Sequence, residues 1–230
     1  MNDQTSPSLE RLLAQSDAFE HAMQNLLGPD LSVVPSEDER HELAAAACLL
    51  SVEHAHVLRC ANAVDAPRTG AAILRLQYEA LLRAAWLLYC ANSTQLQKLN
   101  QPLGPAAEMA AKNLPGYIDM LNAVVKAAPP GLLQPLEEFN QYNRHALNSY
   151  VHGGIHPLQR ALTGFPPQLA ESVIRLSNGL LHLSFRLLAS LTDSPSLMDR
   201  ISRAYSEHAE CLPLITQPQA RSSSDPGIPA

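Results

Sequence analysis

The chain has 230 residues, 46% of them apolar and 17% charged, with a net charge of −6. That length and that modest charge suit a globular chain with a large core and some apolar surface left for a partner. The acidic balance argues against a protein whose whole surface tracks a phosphate backbone, though it leaves room for a local basic pocket.

Leu and Ala dominate while Val, Ile and aromatic residues are sparse, a bias toward helices over sheets. Residues 8–27 place Leu9, Leu12, Leu13, Phe19, Ala22, Met23, Leu26 and Leu27 on one helical face. The segment "GPDLSVVP" breaks that helix, and "SEDE" at Ser36–Glu39 reads as a capping box for a long helix running to about Val64. Pro67 suits the first turn of the next helix, which should reach about Ala91. Pro102, Pro105, Pro115, Pro129 and Pro130 cut residues 93–131 into short helices. A better helix covers roughly 132–151 and ends at "HGG"; others follow over about 167–192 and about 195–209, the last capped by Ser194 with Pro195 just inside. The expectation is an all-α single-domain bundle over residues 1–211, two or three long helices crossed by shorter ones, then a Pro/Ser-rich disordered tail over 212–230.

Cys48, Cys60, Cys90 and Cys211 lie in or beside apolar helical patterns without a CxxC pair, which predicts reduced, mostly buried thiols and a cytoplasmic protein. The N-terminus has no signal-peptide core, and the longest apolar run, "ALLRAAWLLYCA", is short and carries Arg83, so no membrane span is expected. Metal spacing is also poor. His54 and His56 turn to different sides of a helix, His41 lacks a second histidine four residues on, and two glycines separate His152 from His156. Neither a phosphate-binding glycine loop nor a GxSxG motif is present, and no cofactor is expected.

Two polar constellations stand out. Arg75, Glu79 and Arg83 form an i, i+4, i+8 stripe on a helix that is otherwise almost entirely apolar. Such charges need partners, either each other and "SVEHAH" (Glu53, His54, His56) in a buried ion network, or an anionic ligand held by Arg75 and Arg83. In "NRHALNSYVHGG", Arg144, Asn148 and His152 line one face of a helix, with His145 on another. The helix dipole at its C-terminus favours a cation. Tyr142 and Tyr150 offer hydroxyls or a stacking surface. The alternative reading is structural, with His152 capping the last carbonyls and Asn148 bonded to a neighbouring helix.

The all-α layout, "LRLQYEALLRAAWLLYCA" and "LNSYVHGG" together resemble a bacterial family related to the HEPN superfamily of helical bundles. Many members of that superfamily are metal-independent ribonucleases of toxin–antitoxin or phage-defence systems, with a motif of arginine, a polar residue, three residues, then histidine, at a two-protomer interface. The resemblance implies Asn148 at the polar position and His152 at the histidine, while the arginine position falls on Leu147. Arg144, about one turn earlier, is the substitute. It further implies a homodimer, RNA or a nucleotide as ligand, and a protein partner encoded nearby. His152 would serve as general acid or base, Arg144 would stabilise phosphate charge and Asn148 would orient the imidazole. The competing expectation is a non-catalytic helical regulatory or partner-binding module.

Overall fold

A computed structural model describes residues 7–28, 38–192 and 194–213 of the chain. Its elements are α1 (Pro7–Leu27), α2 (Glu39–Ala63), α3 (Pro67–Tyr89), α4 (Ser93–Leu99), α5 (Pro105–Ala111), α6 (Tyr117–Ala127), α7 (Pro130–Val151), α8 (Ile155–Thr163), α9 (Pro167–Ser190) and α10 (Pro195–Glu207), closed by a 3₁₀ turn at Ala209–Cys211. No strand occurs among the described residues, so the fold is an all-α bundle. Five helices exceed twenty residues, more than the two or three expected.

Most boundaries follow from local chemistry. Proline stands in the first turn of α3, α5, α7, α9 and α10, where its missing N–H has no helical acceptor to lose. Ser36 of the expected capping box lies outside the described residues. The cap that is seen is Asp38, whose carboxylate accepts from the Arg40 N–H at 2.9 Å, so Glu39 opens α2. Ser194 precedes α10, but its hydroxyl accepts no backbone N–H and lies 3.3 Å from Ser196 Oγ, so the expected side-chain cap is not made.

Two local devices extend the helices past apparent breakers. Pro135 lies inside α7 and cannot donate to the carbonyl of Gly131; Arg186 Nη1 donates to that carbonyl instead, at 3.1 Å. Arg40 closes the far end of α3, with Nη1 donating to Leu87 O and Nη2 to Ala91 O, each at 2.7 Å. Gly153 (φ 63°) reverses the chain after α7. The helix that follows, α8, was not anticipated from "IHPLQRALT".

α2 and α3 form the most extensive helix pair, and α9 packs on both as well as on α1 and α10. Fourteen residues are buried in each of α3 and α9. By length and composition α2 is apolar enough to cross a membrane, but 44% of its most apolar stretch is buried against the bundle, as in a core helix. Small polar side chains cross the core in a connected chain. Ser184 Oγ donates to Ser51 Oγ at 2.9 Å, Ser51 Oγ to Gln77 O at 3.2 Å, and Ser177 Oγ to Gln77 Oε1 at 2.7 Å. Satisfied buried polar groups of this kind fix helix register.

The C-terminal boundary moves slightly. Leu212 is fully buried, and Tyr205 Oη donates to Pro213 O at 3.2 Å, so these two residues belong to the bundle rather than to the tail. The rest of the expected tail, 214–230, lies outside the described residues. Among the cysteines, expected to be mostly buried, Cys48 and Cys211 are buried, Cys90 is half-buried and Cys60 is exposed. Burial pushes the Cys211 thiol up to about 11, with Glu210 adding to the effect.

Candidate functional site

The charged stripe of α3 is only partly the network its spacing suggests. Arg75 is 2% exposed, and its Nη2 lies 2.8 Å from Glu79 Oε1. Glu79 is paired as expected but not buried; its side chain is 40% exposed. Arg83 is half-buried and makes no ion pair among the described residues. "SVEHAH" does not reach the stripe, because those residues of α2 turn elsewhere. His56 faces Glu20 of α1, with Nδ1 and Oε2 3.8 Å apart. His54 is pushed down by burial, with Glu53 opposing.

The buried ion network sits instead between α1 and α2. Arg59, 3% exposed, pairs with Glu20 through Nη2 and with Asp17 through Nε at 2.9 Å. Burial lowers the affinity of this guanidinium for its proton, and the hydrogen bond to Asp17 works against that. Periodicity along α1 could have flagged Glu20, which shares the apolar face with Met23 and Leu27.

The α7 candidates separate. Arg144, Asn148 and His152 are all exposed, and His145 is exposed beside them. Steps of four residues advance about 40° around a helix, so Arg144 leans toward α6 while His152 ends on the outer side. His152 terminates α7 through its backbone N–H, which donates to Asn148 O at 3.2 Å. Neither the His152 imidazole nor the Asn148 amide makes a hydrogen bond among the described residues, so neither structural role foreseen for them is drawn. Leu147 is 5% exposed and points into the core.

Arg144 approaches the same aromatic ring as Arg75. The Arg75 guanidinium carbon lies 4.1 Å from the centroid of the Tyr117 ring, and that of Arg144 lies 5.8 Å from the same centroid. Tyr117 opens α6, so residues from α3, α6 and α7 converge on one point. Arg75 also lies 5.7 Å from the Tyr78 ring, which stacks on Phe139 of α7 at 4.7 Å. Nothing in the sequence near "LPGYIDM" marks Tyr117 for this role; the convergence is tertiary. Tyr150 does not join it. Its ring lies 6.2 Å from those of His156 and Phe165, at the junction of α7 with α8.

Chemically, the described surface offers cations, an aromatic ring and an exposed imidazole, and no group of three His, Cys, Asp or Glu residues placed to hold a metal. Fold and site together define an all-α bundle with an arginine–tyrosine–arginine convergence beside an exposed polar helix face. A family model described as a family of unknown function, DUF6988, matches residues 48–214, and the chain belongs to this family. The match carries no link to the HEPN superfamily. No curated protein and no solved structure matches the chain.

Proposed function

We propose that this chain is a HEPN-like protein that binds RNA or a nucleotide through the exposed face of α7. In its active form it cleaves RNA without a metal, as an effector of a toxin–antitoxin or phage-defence system. The observation that carries this reading is that Arg144, Asn148 and His152 all stand on the solvent side of α7, with Asn148 and His152 uncommitted to any described hydrogen bond. A polar line that serves only to end a helix would be tied to backbone carbonyls. Here His152 is free to move a proton at a ribose hydroxyl, and Arg144 supplies positive charge for the phosphate.

The proposal includes a two-fold homodimer. Ile155, Leu158 and Leu162 lie along α8 at 68%, 61% and 80% exposure, an apolar stripe next to the α7 face. Light scattering at micromolar concentration checks it; the 25.0 kDa monomer mass would count against it. The second reading, a non-catalytic binding module, is favoured by Leu147, whose burial leaves the motif's arginine position in the core.

The deciding experiment incubates RNA with wild type, His152→Ala and Arg144→Ala in chelator, and measures cleavage and then binding. Cleavage by wild type that is lost in His152→Ala supports the enzyme. Binding without cleavage, weakened by Arg144→Ala, supports the module. If wild type neither cuts nor binds RNA or nucleotides, the α7 face is structural.

A further inference from the structure

Arg75 is buried, yet only one of its three nitrogens is engaged. Nη2 meets Glu79, while Nε and Nη1 have no hydrogen-bond partner. A guanidinium carries five N–H donors, and a buried donor without an acceptor is costly. The Tyr117 ring lies over the guanidinium, its centroid 4.1 Å from the guanidinium carbon. Cation–π attraction compensates in part, but a ring face accepts no directed N–H bond of full strength.

Arg144 then adds a second cation beside the same ring. The pair with Glu79 is the one ion pair made by either arginine among the described residues, and that carboxylate is partly in solvent. Two cations thus approach one ring, with Glu79 partly in solvent and the charge of Glu137 also felt at the neighbouring Tyr78. Tyr117 is half-buried and follows Gly116 at the very start of α6, so no earlier turn of that helix packs against its ring. The ring can therefore swing aside without unwinding the helix.

We propose that Arg75 and Arg144 form a binding site for a phosphomonoester, reached when the Tyr117 ring swings off Arg75. The unpaired Nε and Nη1 of Arg75 leave the guanidinium on different sides, and Glu79 holds the nitrogen common to both of its forks, so a bound anion takes one of these donors singly and draws its second partner from Arg144, which a phosphate with several oxygens allows. Arg144 closes on the group from the solvent side. Identifying the ligand with a nucleotide or a phosphorylated RNA end rests on the α7 reading, since Asn148 stands one turn beyond Arg144 where a ribose or base would lie.

The test uses the full chain and calorimetric titration with inorganic phosphate, adenosine monophosphate, and a short oligoribonucleotide with and without a 5′-phosphate. Saturable phosphate binding is expected, weakened at least tenfold in both Arg144→Gln and Arg75→Lys. Arg75→Lys keeps the charge and removes the planar fork, and circular dichroism reports whether it folds. Arg144→Gln changes an exposed residue and keeps the test valid if Arg75→Lys does not fold. Tyr117→Leu, which uncovers Arg75, is expected to strengthen phosphate binding several-fold. A 5′-phosphate that adds at least tenfold to oligoribonucleotide affinity assigns the RNA end, and tight binding of the monophosphate alone assigns a free nucleotide. The proposal is overturned if wild type binds none of the phosphorylated probes, or if Arg144→Gln binds them as wild type does. RNA cleavage that needs His152, without phosphate binding, would sink this site and leave the α7 reading standing. Phosphate binding without any recognition of unphosphorylated RNA would do the reverse.

Discussion

Arg59 and Arg75 are the two arginines buried among the described residues, at 3% and 2% exposure, and they are neutralised in different ways. Arg59 bridges two helices and meets two carboxylates, Asp17 and the buried Glu20. Arg75 meets one carboxylate, on its own helix and half in solvent, and spends the rest of its surface on aromatic rings. The first arrangement is a cross-link that docks α1 on α2, although Arg59 Nη1, like Arg75 Nε and Nη1, has no hydrogen-bond partner. The second holds a cation in the interior with one counter-charge, on its own helix and partly in solvent. The two buried arginines thus differ in the number and burial of their counter-charges.

The largest test of that contrast is Glu20→Ala. It leaves Arg59 buried with one exposed partner, and should cost about 3–5 kcal/mol in urea unfolding. If it costs no more than Glu79→Ala, the two arginines do not differ in the way described.

The same contrast in burial extends to histidines. His182 is buried, 3.1 Å from Ile201 O and packed against Tyr205, and burial lowers its pKa from 6.5 to about 4. The unfolded chain therefore takes up a proton below pH 6.5 that the folded chain refuses until about pH 4. Stability should be complete above pH 6.5, fall through that window and level off below it, by roughly 3 kcal/mol in all at about 1.4 kcal/mol per pKa unit. Denaturant unfolding at stepped pH measures this, and His182→Gln should flatten the slope.

Glu79→Ala sharpens the comparison from the other side. With its carboxylate 40% exposed, the loss should be about 1 kcal/mol, well short of what a buried pair would give. A loss as large as that of Glu20→Ala would make the Arg75 pair no different from that of Arg59. The smallest effect belongs to His152→Ala, expected within about 0.5 kcal/mol of wild type because the side chain is exposed and unbonded. A clear drop in melting temperature would return His152 to a structural role.

The chain's own pattern determined the helices and many of their limits. Apolar spacing, first-turn prolines and the glycines after α7 act within a few residues, so α1, α3, α7 and α9 lie where periodicity puts them. The i, i+4 pair of Arg75 with Glu79 was legible for the same reason. What the sequence could not assign was the destination of each polar side chain once helices pack. The spacing of Arg75, Glu79 and Arg83 is regular, but rotation of α3 in the bundle buries the first, half-exposes the second and leaves the third without an ion pair among the described residues. Arg144, Asn148 and His152 read as one line, yet the drift of about 40° per four residues sends Arg144 toward Tyr117 and His152 outward. The helix α8 is hard to read from sequence because it has nine residues, follows Gly153–Gly154 and carries Pro157 in its first turn. Arg59 with Glu20, and Arg75 with Tyr117 and Arg144, join residues far apart in the chain. Only helix packing, which sets distances that no local periodicity encodes, could bring them together.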